Sequence, residues 1–263
     1  MSMSRFASLF HAVLPARPLI AVVHLPPSLG YASCPGIEDG VRMLAEDLGV
    51  LSQAGFDGVL LENDADKPHA LMVSKAQVAW LTRLAHEARA RVAVPLGIGV
   101  QRIDWDATLS VAAAASLDFV RLDVFVDRVR MQGEIVIVDP TEVCALRQAL
   151  GAERVQLWTD VHVKHADLME ERSIAESARL AIASGADAVI VTGTRTGEPP
   201  RVEDVSEVAA AARPVLIGSG LTPSFASTYA SLSDGALVGS ALKRGDRIDA
   251  SLARDMVRAW RAG

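Results

Sequence analysis

Short apolar runs, rich in Val, Ile and Leu, alternate along the chain with longer stretches in which apolar positions recur every three or four residues. The short runs read as strands over 19–24, 58–62, 93–98, 119–122, 155–160, 188–192, 215–218 and 236–239. The stretches between them read as helices over 37–54, 74–89, 104–116, 140–150, 171–184, 202–212 and 223–231, with one more after Ile248. In the first of these, Val41, Leu44, Leu48 and Leu51 share one face, as a helix packed on a sheet requires. Asp139-Pro140-Thr141-Glu142 supplies an N-cap, a proline at the first helical position and a glutamate at the third. Gly55 and Gly185 stand where helices should stop. Only 121–139 is too long for a usual strand-to-helix loop, and its segment 134–138 reads as a small extra strand.

Strict strand–helix alternation implies a parallel sheet, and eight such units imply a closed (β/α)8 TIM barrel. A weak repeat supports closure. The even strands begin at Asp57, Asp118, Asp187 and Asp234, and the odd ones are entered through Arg17, Arg91, Arg154 and Arg213. These residues are expected to ring the N-terminal rim, pairing charge with charge and lending stability. One domain covers 19–263, with residues 1–18 as a short helix at the barrel base. Outer helices of this apolar kind often join barrels into homo-oligomers.

Composition narrows the function more than the fold. Half of the 263 residues are apolar, enough for a large core. A net charge of −6 argues against general nucleic-acid binding, which needs a basic surface. No apolar run reaches the roughly 18 residues that cross a bilayer; 180–192 is broken by Asp187. Cys34 and Cys144 offer neither a disulfide framework nor metal-ligand spacing. With no long apolar leader centre, the expected compartment is the cytoplasm.

Chemistry in this fold belongs at the C-terminal ends of the strands, and the polar residues collect there. The first strand ends at His24 and the second at Glu62-Asn63-Asp64; the third runs into Gly97, Gly99 and Arg102, and the fourth carries Arg121 and Asp123. The fifth ends in Asp160-Val161-His162-Val163-Lys164-His165, where alternation puts Asp160, His162 and Lys164 on one side if the strand stays extended. Thr192 and Gly193 close the sixth. The turns Gly218-Ser219-Gly220, before Thr222-Pro223 as helix start, and Gly239-Ser240 suit a phosphate, because glycines let backbone N–H groups approach an anion. Glu62 and Asp160 are candidates for proton transfer, and Lys164 and Arg121 for meeting a developing negative charge. His24, His162 and His165, with the two acids, are also residue types that ligate a divalent metal.

Several segments recur in the order of a known pattern: His24-Leu25-Pro26-Pro27, Ala54-Gly55-Phe56-Asp57-Gly58 leading to Glu62-Asn63, and Lys67-Pro68. The run from Asp160 to Ala166, Thr192-Gly193-Thr194 with Thr196-Gly197, Gly218-Ser219-Gly220, and Asp234 through Lys243 complete it. Together they resemble the BtpA/SgcQ family over nearly the whole chain from Leu19 onward. That family often has Asn where Gly99, Ile103 and Asp123 stand here. The resemblance implies a fold similar to phosphate-binding barrels of the tryptophan and ribulose-phosphate type. It also implies two functional classes. One is a lyase, aldolase or isomerase for a small phosphorylated, sugar-like metabolite, with His24, Asn63, His162, His165, Thr192, Gly193 and the two glycine turns holding substrate. The other is a non-catalytic assembly factor for a membrane protein complex such as photosystem I, which would need an exposed apolar patch.

Overall fold

A strand covered by helices on one side and by other strands' side chains on the other must be apolar on both faces. The barrel strands meet that condition: β1 (Leu19–His24), β2 (Gly58–Glu62), β3 (Leu96–Gly99), β4 (Phe119–Leu122), β5 (Gln156–Val161), β6 (Ala188–Val191), β7 (Val215–Ile217) and β8 (Gly235–Val238) are buried nearly throughout. In the computed structural model, which describes residues 14–195 and 197–263, these strands pair in parallel and in chain order, β8 closing on β1. Eight helices return the chain between and after them: α1 (Ile37–Ala54), α2 (Lys75–Arg89), α3 (Trp105–Ala114), α4 (Pro140–Ala149), α5 (Ile174–Ala183), α6 (Val202–Ala211), α7 (Ala226–Leu232) and α8 (Ala250–Ala262). The expected (β/α)8 barrel is the observed one. The helix expected within residues 1–18 falls, through residue 13, outside the described residues.

Inward-facing positions fill the barrel in layers. Ile20, Val22, Leu60, Phe119, Trp158, Ile190, Leu216 and Leu237 form its interior cluster, and Leu14 joins them from the chain before β1. Phe119 stacks on Trp158 with ring centroids 3.9 Å apart. The room comes from Gly97, where a Cβ would lie 2.2 Å from the Phe119 ring. One layer up, inward positions turn polar: His24, Glu62, Arg121 and Asp160. The same alternation that packs the core therefore aims the site.

At the opposite rim the aspartate repeat has a specific job. The carboxylates of Asp57, Asp118, Asp187 and Asp234 each accept the backbone N–H of the first or second residue of the preceding odd strand: Leu19, Leu96, Leu157 and Val215, at 2.8 Å in every case. Each also meets an arginine, but mostly not the expected one. Asp57 takes Arg261 of α8, Asp118 takes Arg89 of α2 and Asp187 takes Arg147 of α4; only Asp234 pairs with Arg213 as anticipated. Arg17 instead donates to the Ala230 carbonyl, and Arg91, just past the end of α2, pairs with Glu87 of that helix. Helix-end arginines win because the helices return to the base beside the aspartates.

The long segment after β4 forms a small antiparallel sheet. Val129–Met131 pairs with Glu134–Val136 and with Asp167–Leu168 from the loop after β5. The expected extra strand is present, two residues shorter than 134–138. Buried Asp127 ties the two loops together, accepting the His162 backbone N–H at 3.0 Å and the Ser177 hydroxyl at 2.6 Å. A turn was expected to start the helix after β7 at Thr222-Pro223; α7 begins at Ala226, and the Thr222 hydroxyl is bonded to Ser224 instead.

Candidate functional site

Arg121 organises the upper barrel. Its guanidinium grips Asp160 with two bonds, Nε to Oδ1 at 2.9 Å and Nη2 to Oδ2 at 2.8 Å, and donates from Nη1 to Glu62 Oε1 at 2.9 Å. All three side chains are buried, Asp160 completely. The Glu62 carboxylate also accepts from the Gln101 amide at 3.2 Å. Glu62 and Asp160 thus come together, as β2 and β5 facing one barrel interior require, but through a shared cation. Gly99 lies beside this cluster, and a Cβ there would meet the Arg121 stem at 3.4 Å, in ordinary contact.

Asp123 lies one inward position above Arg121 on the chain leaving β4. Burial raises its carboxyl to about 7, Asp160 pushing the same way and Arg121 opposing. A carboxyl that is half protonated near neutral pH can both take and return a proton. By sequence Asp123 is only a polar residue at a strand end; its raised carboxyl depends on burial and on the carboxylates of β2 and β5, which no local pattern reveals.

A cavity of about 300 Å³ opens above this cluster. His24, Glu62, Arg121, Lys164, Gly218, Ser219, Gly220, Gly239 and Ser240 line it, together with Asp64, Gln101 and Arg102. Its acids are largely answered already: Glu62 by Arg121, Asp64 by Lys67 at 3.0 Å and by His24 at 3.4 Å. Its other cations are not. Among the described residues neither Arg102 nor Lys164 forms an ion pair. Burial holds the Lys164 ammonium below the ordinary lysine range, with Arg121 adding to the effect. Burial likewise keeps His24 below the usual histidine value despite Glu62.

Lys164 does not arrive there by strand alternation. β5 ends at Val161, and His162 and His165 take left-handed backbone angles, φ 48° and 65°, so the expected common side stops at His162. The Asp127 carboxylate holds the first of these turns. His162 keeps a buried Nε2 without a hydrogen-bond partner, while His165 is exposed, and neither lines the cavity. Asn63 is absorbed by the loop after β2: its Oδ1 accepts the Gln101 N–H and its amide donates to Asp66, which also takes the Ser28 N–H and the Gln77 amide. It sets the loop rather than facing the cavity.

The glycine turns have packing reasons. A Cβ at Gly193 or Gly220 would strike the backbone at Glu198 or Pro199, and one at Gly218 would fall 2.3 Å from Ile190 and 2.7 Å from Thr192. At Gly239 it would reach 3.1 Å from Val22. The Ser219 hydroxyl accepts the Gly193 N–H at 2.7 Å and donates to the Glu198 carbonyl at 2.9 Å, so it clips the β6 loop over the β7 turn. Thr192 stays inside with its hydroxyl unpartnered. Among the described residues no three His, Cys, Asp or Glu side chains are grouped to hold a metal ion. The donor set fits one poorly in any case, since the oxygens of Glu62 and Asp160 are spent on Arg121 and Gln101.

Comparison with known proteins agrees with this architecture. Residues 15–262 match the model of the BtpA family. An uncharacterised protein of Pyrococcus horikoshii is 37% identical over 238 residues, covering 88% of this chain and 89% of its own. The photosystem I biogenesis protein BtpA of Synechocystis is 30% identical over 249 residues, covering 93% and 86%. Among solved structures, N-(5'-phosphoribosyl)anthranilate isomerase from Pyrococcus furiosus superposes with a TM-score of 0.58 at 15% identity, over 94% of this chain and all of its own. Thiamine phosphate pyrophosphorylase from the same organism gives 0.59 at 14%, over 93% and 96%. At such identities the likeness is one of fold.

Proposed function

This chain belongs to the BtpA family, and from that premise we propose that it is an enzyme, an isomerase, aldolase or lyase, acting on a small phosphorylated, sugar-like metabolite. One observation carries the reading: a cavity at the strand ends keeps Arg102 and Lys164 unpaired while its own acids are occupied. Unpaired, partly desolvated cations favour an anionic guest, and in a site of low dielectric they act strongly on charge. The phosphate is assigned to the side formed by Ser219, Gly220, Gly239 and Ser240, where barrels of this architecture commonly hold one. That leaves the carbon skeleton toward Arg121 and Lys164, with Asp123 in the small recess that adjoins this cavity across Arg102 and Arg121.

The chemistry then follows from the charges. Asp123, as carboxylate, removes a proton from the carbon beside a carbonyl, and the C–H electron pair moves onto the carbonyl oxygen. The Lys164 ammonium offsets the negative charge of the resulting enolate. Return of the proton to the neighbouring carbon, with the hydroxyl proton passing from one enediolate oxygen to the other, completes an isomerisation; breaking a carbon–carbon bond to reach the same enolate is the aldolase variant. Arg121 fixes Glu62 and Asp160 beneath, so that their charge raises Asp123 without competing for the substrate.

Incubating the protein in D2O with a panel of ketose and aldose phosphates tests this without a known product. Deuterium entering the carbon next to a carbonyl, seen by NMR and lost in Asp123→Asn, is the expected result. No exchange with any member, together with a melting temperature indifferent to tens of millimolar phosphate, would overturn it. The assembly-factor reading asks for a broad apolar face. The large exposed apolar side chains sit singly on different elements, as Leu180 and Phe225 do, apart from Ile135 and Ile137 on the arm after β4. No helix among the described residues is long and apolar enough to cross a membrane.

A further inference from the structure

A second chamber of about 320 Å³ lies behind the first, and His24 and Asp64 line both. Its far walls come from the loop after β1, at Pro26 and Pro27, from α1 at Leu44 and Asp47, and from the hairpin of Lys243–Arg244 with Arg247–Ile248. The hairpin is pinned to α1. Arg247 donates to the Met43 carbonyl and to Glu46, and the Ile248 N–H donates to Asp47 at 3.2 Å. The short turn Ser240–Leu242 links the two chambers directly, with Ser240 lining the first and Lys243 the second.

The charges of this chamber can be assigned one by one. Asp47 is engaged by Arg247 and the Ile248 N–H, and Asp64 by Lys67 and His24. Asp246 is exposed to solvent. Lys243 is only partly exposed, and among the described residues its ammonium makes no ion pair or hydrogen bond. Burial keeps its ammonium below the ordinary lysine range even though Asp64, Asp47 and Asp246 pull the other way. It repeats, on the other side of the His24–Asp64 pair, the arrangement of Lys164 in the first chamber: a desolvated cation with room before it.

We propose that the Lys243 chamber is a second anion-binding site and that the substrate carries two anionic groups, one on each side of the His24–Asp64 pair. The class is that of sugar bisphosphates and phosphorylated carboxylates. This deepens the functional reading above and rests on its anionic first chamber. His24 becomes the residue that touches the middle of such a ligand, with its ring between the two charged ends.

Inorganic phosphate is the probe, because it is small enough to enter either chamber alone. Two independent sites each raise stability by RT ln(1 + [L]/Kd), so the thermal shift in phosphate should be a sum of two parts. Lys243→Met should remove one part and Lys164→Met, which takes a free cation from the first chamber, should reduce the other, while Lys243→Arg retains the full shift. Lys243→Gln serves in place of the Met variant if that fails to fold. A shift in Lys243→Met and Lys243→Gln equal to wild type, with Lys164→Met reduced, overturns the second site and leaves the first standing. Loss of the whole shift in Lys243→Met with none in Lys164→Met keeps the second site and removes the anionic first chamber. Absence of any shift in the wild type, or indifference to both substitutions, ends both.

Discussion

At its base the barrel repeats one device around the ring, an aspartate bonded to a neighbouring strand's N–H and neutralised by an arginine. At its mouth nothing repeats. Glu62 and Asp160 share one arginine, Asp123 has only Coulombic partners, and Arg102, Lys164 and Lys243 are left over. Aspartates at the two ends of the same strand can thus have opposite fates. Those at the base complete every bond open to them, which is what stability selects. At the mouth Asp160 and Asp64 are answered too, but Asp123 has no bonded partner among the described residues and the cations Arg102, Lys164 and Lys243 are left over, and that unmet charge is what a ligand can use. The base even has the larger recess, about 420 Å³, lined by Leu14, Phe119 and Trp158 with Asp118 and Arg154. Volume without converging, unsatisfied charge does not make it the better candidate.

The contrast is sharpest at Arg121, which belongs to the mouth by position and to the base by satisfaction. Arg121→Met leaves two buried carboxylates without their cation, and uncompensated buried charge costs about 3–5 kcal/mol. Chemical denaturation should show a loss of that size, with part of it recovered on adding Asp160→Asn. A loss under 1 kcal/mol would mean that the cluster is looser than its bonds imply. Next in size, Asp57→Ala strands the Leu19 N–H and the Arg261 guanidinium, for a cost of about 1–3 kcal/mol. The phosphate-induced thermal shift should stay as in wild type. If it vanished, base and mouth would not be the separate systems described.

The base was nearly legible in the sequence and the mouth only half so. Most strand and helix limits followed from apolar period and from Gly55, Gly185 and Asp139-Pro140, because those signals are local, although β3 starts at Leu96 rather than 93 and α5 at Ile174 rather than 171. The aspartate repeat was visible because it recurs at matching strand starts; its arginine partners were not, because Arg261, Arg89 and Arg147 reach the rim from helix ends far away in sequence. At the mouth, residue type and strand order located His24, Glu62, Arg121 and Lys164. They could not show that Asn63 serves the loop after β2, or that β5 turns at His162 rather than continuing. They also missed Gln101 and the raised carboxyl of Asp123, which burial and the acids on β2 and β5 produce together.

A cation kept for a ligand should be dispensable to the fold. Lys164→Met removes a half-buried ammonium that has no ion pair, so stability should change by less than about 1 kcal/mol while part of the phosphate shift is lost. A large destabilisation would place Lys164 with the base-type charges, and an unchanged shift would remove it from the anion site.

The most diagnostic effect belongs to Asp123. Its folded carboxyl titrates near 7, while an unfolded aspartate titrates near 3.8. Below the unfolded value both states hold the proton and the site imposes no penalty. Between the two values the native state holds a proton that the unfolded state has released, so stability falls as pH rises. Above the folded value both are ionised and the penalty is constant. Asn at this position cannot ionise, so Asp123→Asn should match wild type near pH 4, gain on it steadily toward pH 7, and keep a constant advantage beyond. Melting temperatures measured from pH 4 to 9 give the difference curve directly. A carboxylate held below its unfolded value by an ion pair behaves in the reverse way: it adds stability above that value, and its Asn variant falls behind as pH rises. A difference curve of that second shape would mean that Arg102 or Arg121 satisfies Asp123 after all. The proton carrier would then have to be sought among Glu62 and Asp160.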